Sequence, residues 1–477
     1  MPKVPALSFI NDVEASKHDA NVVFAVADAH KVGDYTTFLF VSNDRGKSWQ
    51  PIQGDLPANT IVWVIKQDHV DKNLLFIGTE YGIYFSPNRG VNWMRFSSGS
   101  PTIPFRDLEL HERDNDIAGA SFGRGIYIID DYSSLREISK VVNKKNTLFT
   151  VRDAWWYIPN EPMQAKGMPT LGTTSFRVAN PEFGAMFTYY INELPQTAKD
   201  TRANKEKGLE AQGANIPFPG WDVLKAESLE SAPRVLILVR DESGNGVRWI
   251  EGTAKKGVHR VTWDLRLPAP DPVNLTKPTF VPPWAGSPEG PLVAPGKYSA
   301  ELFVADNGTL KSQGPAQSFN VKPTPNVKSN INYQEFTSLT RRTADLARNA
   351  AGSRSYLGEA DRKLRHMEEA LMRTSQPNPE LFKTLKSLRD KLATLNEQLV
   401  GDPIRSEKNE STSPSILGRV NSVANSHWST TQMPTETQKH SLEIAENGYK
   451  QFVIDAASFT KELEAYEAEL EKAGAPH

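Results

Sequence analysis

No cysteine occurs among the 477 residues. That excludes disulfides, thiolate nucleophiles and cysteine-ligated metals, and it leaves the redox compartment unmarked. An excess of either charge is also missing: 55 Lys+Arg stand against 57 Asp+Glu, a formal net charge of -2. There is therefore no basic field to collect nucleic acid or anionic lipid, and no nucleic-acid partner is expected. No run approaches the ~18 apolar residues of a membrane span. The opening MPKVPALSFINDVEAS has one lysine and no apolar stretch of signal-peptide length. A nucleophile elbow, a Walker loop, a zinc helix and an EF-hand loop are all absent, and neither a metal nor a cofactor is expected. The remainder, 38% hydrophobic and 23% charged, is ordinary globular composition, with length for about three domains.

The strongest positive signal is a repeat. SNDRGKSW (Ser42 to Trp49) and SPNRGVNW (Ser86 to Trp93) superpose without gaps at a spacing of 44 residues, a blade-sized period. Alternating apolar residues precede each, Phe38 and Phe40 in one, Ile83 and Phe85 in the other, so the unit reads as a small antiparallel sheet. Within the motif, Ser42 and Asp44 can accept backbone N–H bonds, Gly46 supplies a positive φ and Trp49 packs over the turn. Ser86, Asn88, Gly90 and Trp93 repeat the set. Asn88 keeps the acceptor oxygen of Asp44 without its charge, so the motif reads as a turn staple and not as a catalytic acid. A third copy shows in its leading strand, because GTEYGIYFS is echoed by ASFGRGIYIID 43 residues on, with Gly82 matching Gly125. Its turn has decayed to DDYSSLRE, as expected of a terminal repeat. Three blades cannot close a propeller of ~4 to 8, so the missing blades are expected from a longer chain or another subunit, the favoured source being a longer chain that begins before Met1.

These turns, the GTEYGIY and FGRGIYIIDD strands and the order of the segments after them resemble the C-terminal part of bacterial Asp-box (BNR-repeat) proteins of the sortilin-like, glycosyl-hydrolase-like propeller family. The resemblance spans nearly the whole chain. It implies an exported protein, periplasmic, cell-surface or extracellular, that binds a peptide or glycan ligand or serves as a scaffold; the alternative it implies is a glycosidase acting through the complete propeller. Phe122 departs from it, standing where such strands often carry a histidine before Gly-Arg-Gly.

Beyond about residue 145 the period stops. The stretch 146–325 reads as a β-sandwich with a charged insert near 195–231, and its order, with the hairpin DESGNG and the closing GPLVAPGKYSAELFV, resembles FlgD-like or fibronectin-like immunoglobulin sandwiches. Trp249, Trp263 and Tyr298 are expected as core or turn anchors. From 326 to 477 the composition turns to Leu, Ala, Glu, Lys and Arg. Apolar positions alternate at three and four along Phe336 to Leu371, Leu381 to Leu399 and Leu442 to Leu470, the seams of an antiparallel helical bundle or of an oligomer contact with another subunit. Starts are marked at Asn332, Asn378-Pro379, Ser413-Pro414 and Thr435. His366, His427 and His440 have no ligand-like spacing and are expected in solvated or capping roles. The fold class expected is thus multidomain, β then α.

If chemistry lies in the blades, the candidates are the carboxylates Glu80, Asp107 and Asp130, with Arg106 and Arg124 as ligand-binding partners for a carboxylate or sugar hydroxyl. Glu80 precedes a turn, Arg106-Asp107 opens a strand and Asp130 ends one, contexts in which solvated structural roles are commoner. Three roles compete: binding or scaffolding, glycoside hydrolysis, and a structural part in a cell-envelope complex.

Overall fold

Alternating apolar residues dictate the strands of the N-terminal third. In a computed structural model, β1 (Phe9–Ala15), β2 (Val23–Ala29), β3 (Asp34–Ser42) and β4 (Gln50–Pro51) pair in that order as one antiparallel sheet. The second sheet repeats the plan with β5 (Val62–Gln67), β6 (Leu75–Thr79), β7 (Gly82–Ser86) and β8 (Met94–Arg95). The third has three strands, β9 (Phe105–His111), β10 (Asp116–Ser121) and β11 (Ile126–Ile129). The structure describes residues 1–476 apart from 98, 160–171, 173, 175–177, 179, 277–278, 283–285, 287, 326–329 and 376–377.

The sheets stack face to face because inner strands such as β2, β6 and β7 are buried on both sides. Phe24, Val26, Leu39 and Val41 of the first meet Val62, Leu75, Ile77 and Tyr84 of the second in one buried cluster. Phe76, Ile83 and Phe85 of the second meet Phe105, Leu108 and Ile117 of the third in another. On the far side of the third sheet, Ile126 and Ile128 are exposed beside Ala120 and Ala118.

The two repeated turns share one hydrogen-bond plan. Ser42 Oγ accepts the Gly46 N–H at 2.8 Å, and Ser86 Oγ accepts the Gly90 N–H at 2.7 Å. Asp44 Oδ1 accepts the Ser48 N–H at 2.8 Å, as Asn88 Oδ1 accepts the Asn92 N–H at 2.9 Å. The Ser48 hydroxyl also donates to Asp44 and, with that N–H, holds its carboxyl down to about 2. Gly90 has φ +87°, and a Cβ there would lie 2.6 Å from the Ile52 carbonyl oxygen. The Trp93 indole donates to that same oxygen at 3.0 Å. After β11 the plan lapses: DDYSSLRE leads into α1 (Leu135–Val141), whose Leu135, Ile138 and Val141 enter the core shared by the second and third sheets.

At this end the hairpin turns of all three sheets gather around one buried carboxylate. Asp68, fully buried, receives Arg136 through Nε and Nη2 at 2.8 Å each, the Tyr132 hydroxyl at 2.9 Å and the Asp71 N–H at 2.6 Å. His18, from the first sheet's turn, lies 2.7 Å from the Asp68 carbonyl oxygen through Nε2, and Arg136 donates to Asn115 in the third sheet's turn at 2.6 Å. Burial raises the Asp68 pKa, but Arg136 and the surrounding donors outweigh it and leave the carboxyl below its ordinary value. Burial raises Tyr132 well above the usual phenol range, with the Asp68 charge adding to it.

The middle of the chain contributes β12 (Thr147–Leu148), β13 (Ala154–Trp156), β14 (Ala185–Ile191), α2 (Ala198–Ala211), α3 (Trp221–Leu229), β15 (Arg234–Asp241), β16 (Gly246–Gly252), β17 (Gly257–Trp263), β18 (Gly296–Asp306), β19 (Thr309–Ser312) and β20 (Gln317–Pro323). One sheet runs β12-β14-β17; the other runs β13-β20-β18-β15-β16, with β19 beside β18. Phe187, Tyr189 and Trp263 of the first share a core with Val235, Ile237, Tyr298, Leu302 and Phe319 of the second. The buried polar tips are satisfied: the Trp263 indole donates to Arg266 O at 2.9 Å and the Tyr298 hydroxyl to Ala294 O at 2.7 Å. Trp249 differs from that pair, standing 46% exposed with its ring edge-on to Phe303. Arg260 on β17 joins this unit to the third sheet by donating to the Asp130 and Asp131 carbonyls.

The C-terminal helices are α4 (Tyr333–Leu371), α5 (Pro379–Val400), α6 (Pro403–Glu407), α7 (Ile416–His427) and α8 (Glu436–Lys472). Arg342 pairs with Glu446, Tyr356 with Thr460 and Lys363 with Glu467, each 104 residues apart. That constant offset makes α4 and α8 parallel. The bundle is therefore not antiparallel throughout: α5 and α7 share the descending path between them, α5 covering Leu357 to Leu371 and α7 covering Leu339 to Ala347. The Asn378-Pro379 start and the Thr435–Gln438 capping box both form. The start expected at Ser413-Pro414 moves to Ser415, whose Oγ accepts the Gly418 N–H and donates to Val400 O, tying α7 to the end of α5. His427 is neither solvated nor a cap. It is 1% exposed, its ring 4.8 Å from that of Phe336, and burial lowers its pKa; it is the last apolar-face position of α7.

Replacing Asp68 by Ala should strand Arg136 without its partner and cost about 3–5 kcal/mol, read as a lower urea midpoint. Because the carboxyl titrates lower when folded, the stability it contributes is full above its unfolded pKa of about 4. It should be lost as pH falls through the lower folded value. Asp44→Asn should change the melting temperature little, since Asn88 forms the same bond in the second turn; a loss as large as that of Asp68→Ala would contradict the shared plan.

Candidate functional site

The opposite end of the three sheets is open, and a repeated backbone irregularity shapes it. In β1 the register slips between Ile10 and Asp12, in β5 between Val62 and Val64, and in β9 the pairing of Ala120 and Ser121 skips one residue. The extra residues are Asn11, Trp63 and Arg106. A β-bulge re-aims the side chain it inserts, so the first strand of each sheet turns one polar or aromatic group out of the ladder at the same end. Asn11 uses its amide to hold the next sheet, donating to Val62 O at 3.0 Å. Trp63 and Arg106 build the site.

The Arg106 guanidinium lies 3.4 Å from the Trp63 ring centroid and 5.1 Å from that of Phe122. The Trp63 indole N–H donates to Glu80 Oε2 at 2.9 Å, and Arg106 Nη2 stands 3.8 Å from the same oxygen. His30 meets Trp63 edge-on, ring centroids 5.7 Å apart, and is itself held by the buried Asp28. Trp63 is buried, whereas Phe122 and Tyr81 are 68% and 53% exposed. Cation–π contact holds the planar fork of Arg106 rigid. Among the described residues nothing hydrogen-bonds to that fork, and the side chain keeps 39% of its exposure.

Of the residues singled out from sequence, Glu80 and Arg106 come together here, and Arg124 lies in the turn two residues beyond Phe122. Asp107, the next residue of β9, stands opposite Ala120, in the cross-strand row that ends at the exposed Ile126. Asp130 lies at the far end of β11, where burial and then the Asp116 charge raise its pKa. The three carboxylates are thus dispersed. Trp63 and His30 escaped the sequence reading because the turn motif lies between the third and fourth strands, at the other end of each sheet. A signal was present in the aligned starts Phe9-Ile10-Asn11, Ile61-Val62-Trp63 and Pro104-Phe105-Arg106.

One further group brings three ligand atoms within 4.8 Å of one another: His111, Asp114 and Asp116. Asp114 already pairs with Arg113 at 2.8 Å, and Asp116 accepts the Asp131 N–H at 2.9 Å. His111 also stands 3.3 Å from Asp114 across the β9–β10 turn, and the group lies at the opposite end of the third sheet from the β10–β11 turn.

Comparison with family models and with curated proteins finds no match. Among solved structures, a GH74 xyloglucanase from Xanthomonas campestris is similar at 11% identity and a TM-score of 0.22, over 64% of this chain and 38% of its own. An ancestral GH74 enzyme is similar at 13% identity and 0.21, over 68% of this chain and 37% of its own. The extracellular domain assigned to a hybrid two-component system of B. thetaiotaomicron is similar at 12% identity and 0.20, over 66% and 30%. The chain spans well under half the length of each.

Trp63→Phe keeps a ring under Arg106 but removes the donor to Glu80. It should cost about 1 kcal/mol of stability, seen as a lower melting temperature; an unchanged value would mean the indole N–H does not hold Glu80 in solution.

Proposed function

We propose that this chain is the closing part of an exported bacterial β-propeller protein of the Asp-box, sortilin-like type, and that it binds a glycan at the open end of its sheets. Residues 1–145 are taken as the last blades, 146–325 as an appended β-sandwich and 326–477 as a helical accessory module. Two stacked four-stranded meanders and a third sheet whose outer face leaves Ile126 and Ile128 uncovered suit a stack continued by further blades from a longer chain.

The observation that carries the reading is the adjoining of an acceptor, Glu80, and a donor, Arg106, between exposed aromatic rings. A saccharide presents hydroxyls that both donate and accept, and C–H faces that lie on aromatic rings. The pair Glu80–Arg106 with Tyr81 and Phe122 offers both kinds of contact at once. Hydrolysis, by contrast, needs two carboxylates about 5–10 Å apart across the scissile bond. Asp130 lies at the far end of β11, Asp107 accepts the Leu108 N–H in the row of Ala120 and Ile126, and Asp28 is engaged by His30, so the chain by itself is a binding part.

The 477-residue chain should retain soluble polysaccharides in affinity gel electrophoresis and release no reducing ends from them. Phe122→Ala and Tyr81→Ala should each weaken retention about tenfold. Reducing ends that appear with the unaltered chain and vanish in Glu80→Gln would replace binding by hydrolysis.

A further inference from the structure

The hydrogen-bonding state of the charged groups at the open end is lopsided. Its acids are occupied: Asp28 accepts from the His30 N–H and ring, Asp34 from the Thr36 N–H, Glu80 from the Trp63 indole and Asp107 from the Leu108 N–H. Of its cations, Arg95 beside Gly82 is engaged by Thr102, but three are not. Arg106, Lys31 and Arg124 have no hydrogen-bond partner among the described residues, and only Arg106 has a carboxylate within 4 Å. Two of the three are seated on rings, Arg106 on Trp63 and Phe122, and Lys31 with Nζ 4.2 Å from the Phe9 centroid. Aromatic seating fixes a cation without using up its N–H donors. Such cations are prepared for acceptor oxygens brought by something else, and a planar guanidinium fork is matched best by a carboxylate.

We propose that the saccharide bound at this end is an acidic one, a uronic-acid chain whose carboxylate takes the fork of Arg106. Lys31 on the first sheet and Arg124 on the third, the sheet of Arg106 itself, supply flanking charge. This rests on the glycan reading above and narrows it. A neutral glycan would use Glu80, the rings and a donor of Arg106, and would leave Lys31 and Arg124, which have no carboxylate within 4 Å among the described residues, without a role. The carboxylate adds a charge-assisted pair on the solvent side of Arg106, where Glu80, 3.8 Å away and already bonded to Trp63, does not block it. The resulting attraction is electrostatic and exposed, so it weakens with added salt.

The test compares polygalacturonate and alginate with their esterified forms, which keep the sugar backbone and lose the charge, and with a neutral glucan, all by affinity electrophoresis of the whole chain. The acid forms should bind at least about tenfold more tightly than the esters, and the advantage should shrink between low and moderate salt. Arg106→Gln should abolish the preference while keeping the melting temperature, and Arg124→Gln should reduce it. Equal binding of acid and ester, or binding of the neutral glucan alone, overturns the inference and leaves the glycan reading standing. No binding of any of these polymers overturns both. If Arg106→Gln proves unstable, Lys31→Gln together with Arg124→Gln must reduce the acid preference, and its persistence in that double variant counts against the proposal.

Discussion

Everything at the open end depends on a buried ion pair at the other. Asp68 is cut off from water and takes both nitrogens of the Arg136 fork, a Tyr132 hydroxyl and a backbone N–H. A carboxylate so placed is tolerable only because every lone pair has a donor. Arg136 comes from the helix after the third sheet, Tyr132 from the segment before that helix and the Asp71 N–H from the same turn as Asp68, while His18 and Asn115 bring in the turns of the first and third. Sheet stacking by apolar contact alone leaves the relative slide of the sheets loosely fixed; a bidentate ion pair with neighbours from three hairpins does not. Trp63 and Arg106 stand on different sheets, so their spacing depends on that registration, to which the Asn11 and Asp12 bonds between the first two sheets add.

The bulges at Asn11, Trp63 and Arg106 then convert a repeat of architecture into a site. In each sheet the first strand departs from regular pairing at the same height, and each time a different side chain is turned out. Asn11 is used for cohesion, Trp63 as a platform and a donor, Arg106 as the exposed cation. Repetition supplies three equivalent positions, and divergence at those positions supplies chemistry. The turn motifs of Ser42 to Trp49 and Ser86 to Trp93 lie between the third and fourth strands and have no part in it.

Much of this was legible in the residues. The 44-residue spacing, the alternation in the strands and the Asp44-to-Asn88 exchange each correspond to bonds that can be named. Glu80 and Arg106 were reachable because they end or begin strands beside turns. The hidden features depended on pairing register. A bulge leaves no mark in a single strand, because it is defined by the neighbour across the ladder, and Trp63 reads as one more apolar residue in TIVWVIK. The parallel course of α4 and α8 was hidden for a like reason: seams at three and four spacing are the same whichever direction the partner runs. His427 deceived by type, since histidine is usually solvated, while its position on the apolar face of α7 decided its burial.

The most direct measurement is a titration monitored through side-chain N–H signals. With the chain labelled in nitrogen-15, the indole Nε1–H of Trp63, assigned among the ten tryptophans by Trp63→Phe, and the Nε–H of Arg106 report on the open end alone. On addition of oligogalacturonate the account predicts that both signals shift together and saturate at the same ligand concentration. Saturable shifts confined to tryptophans of the sandwich, such as Trp249, with Trp63 and Arg106 unmoved, would contradict it.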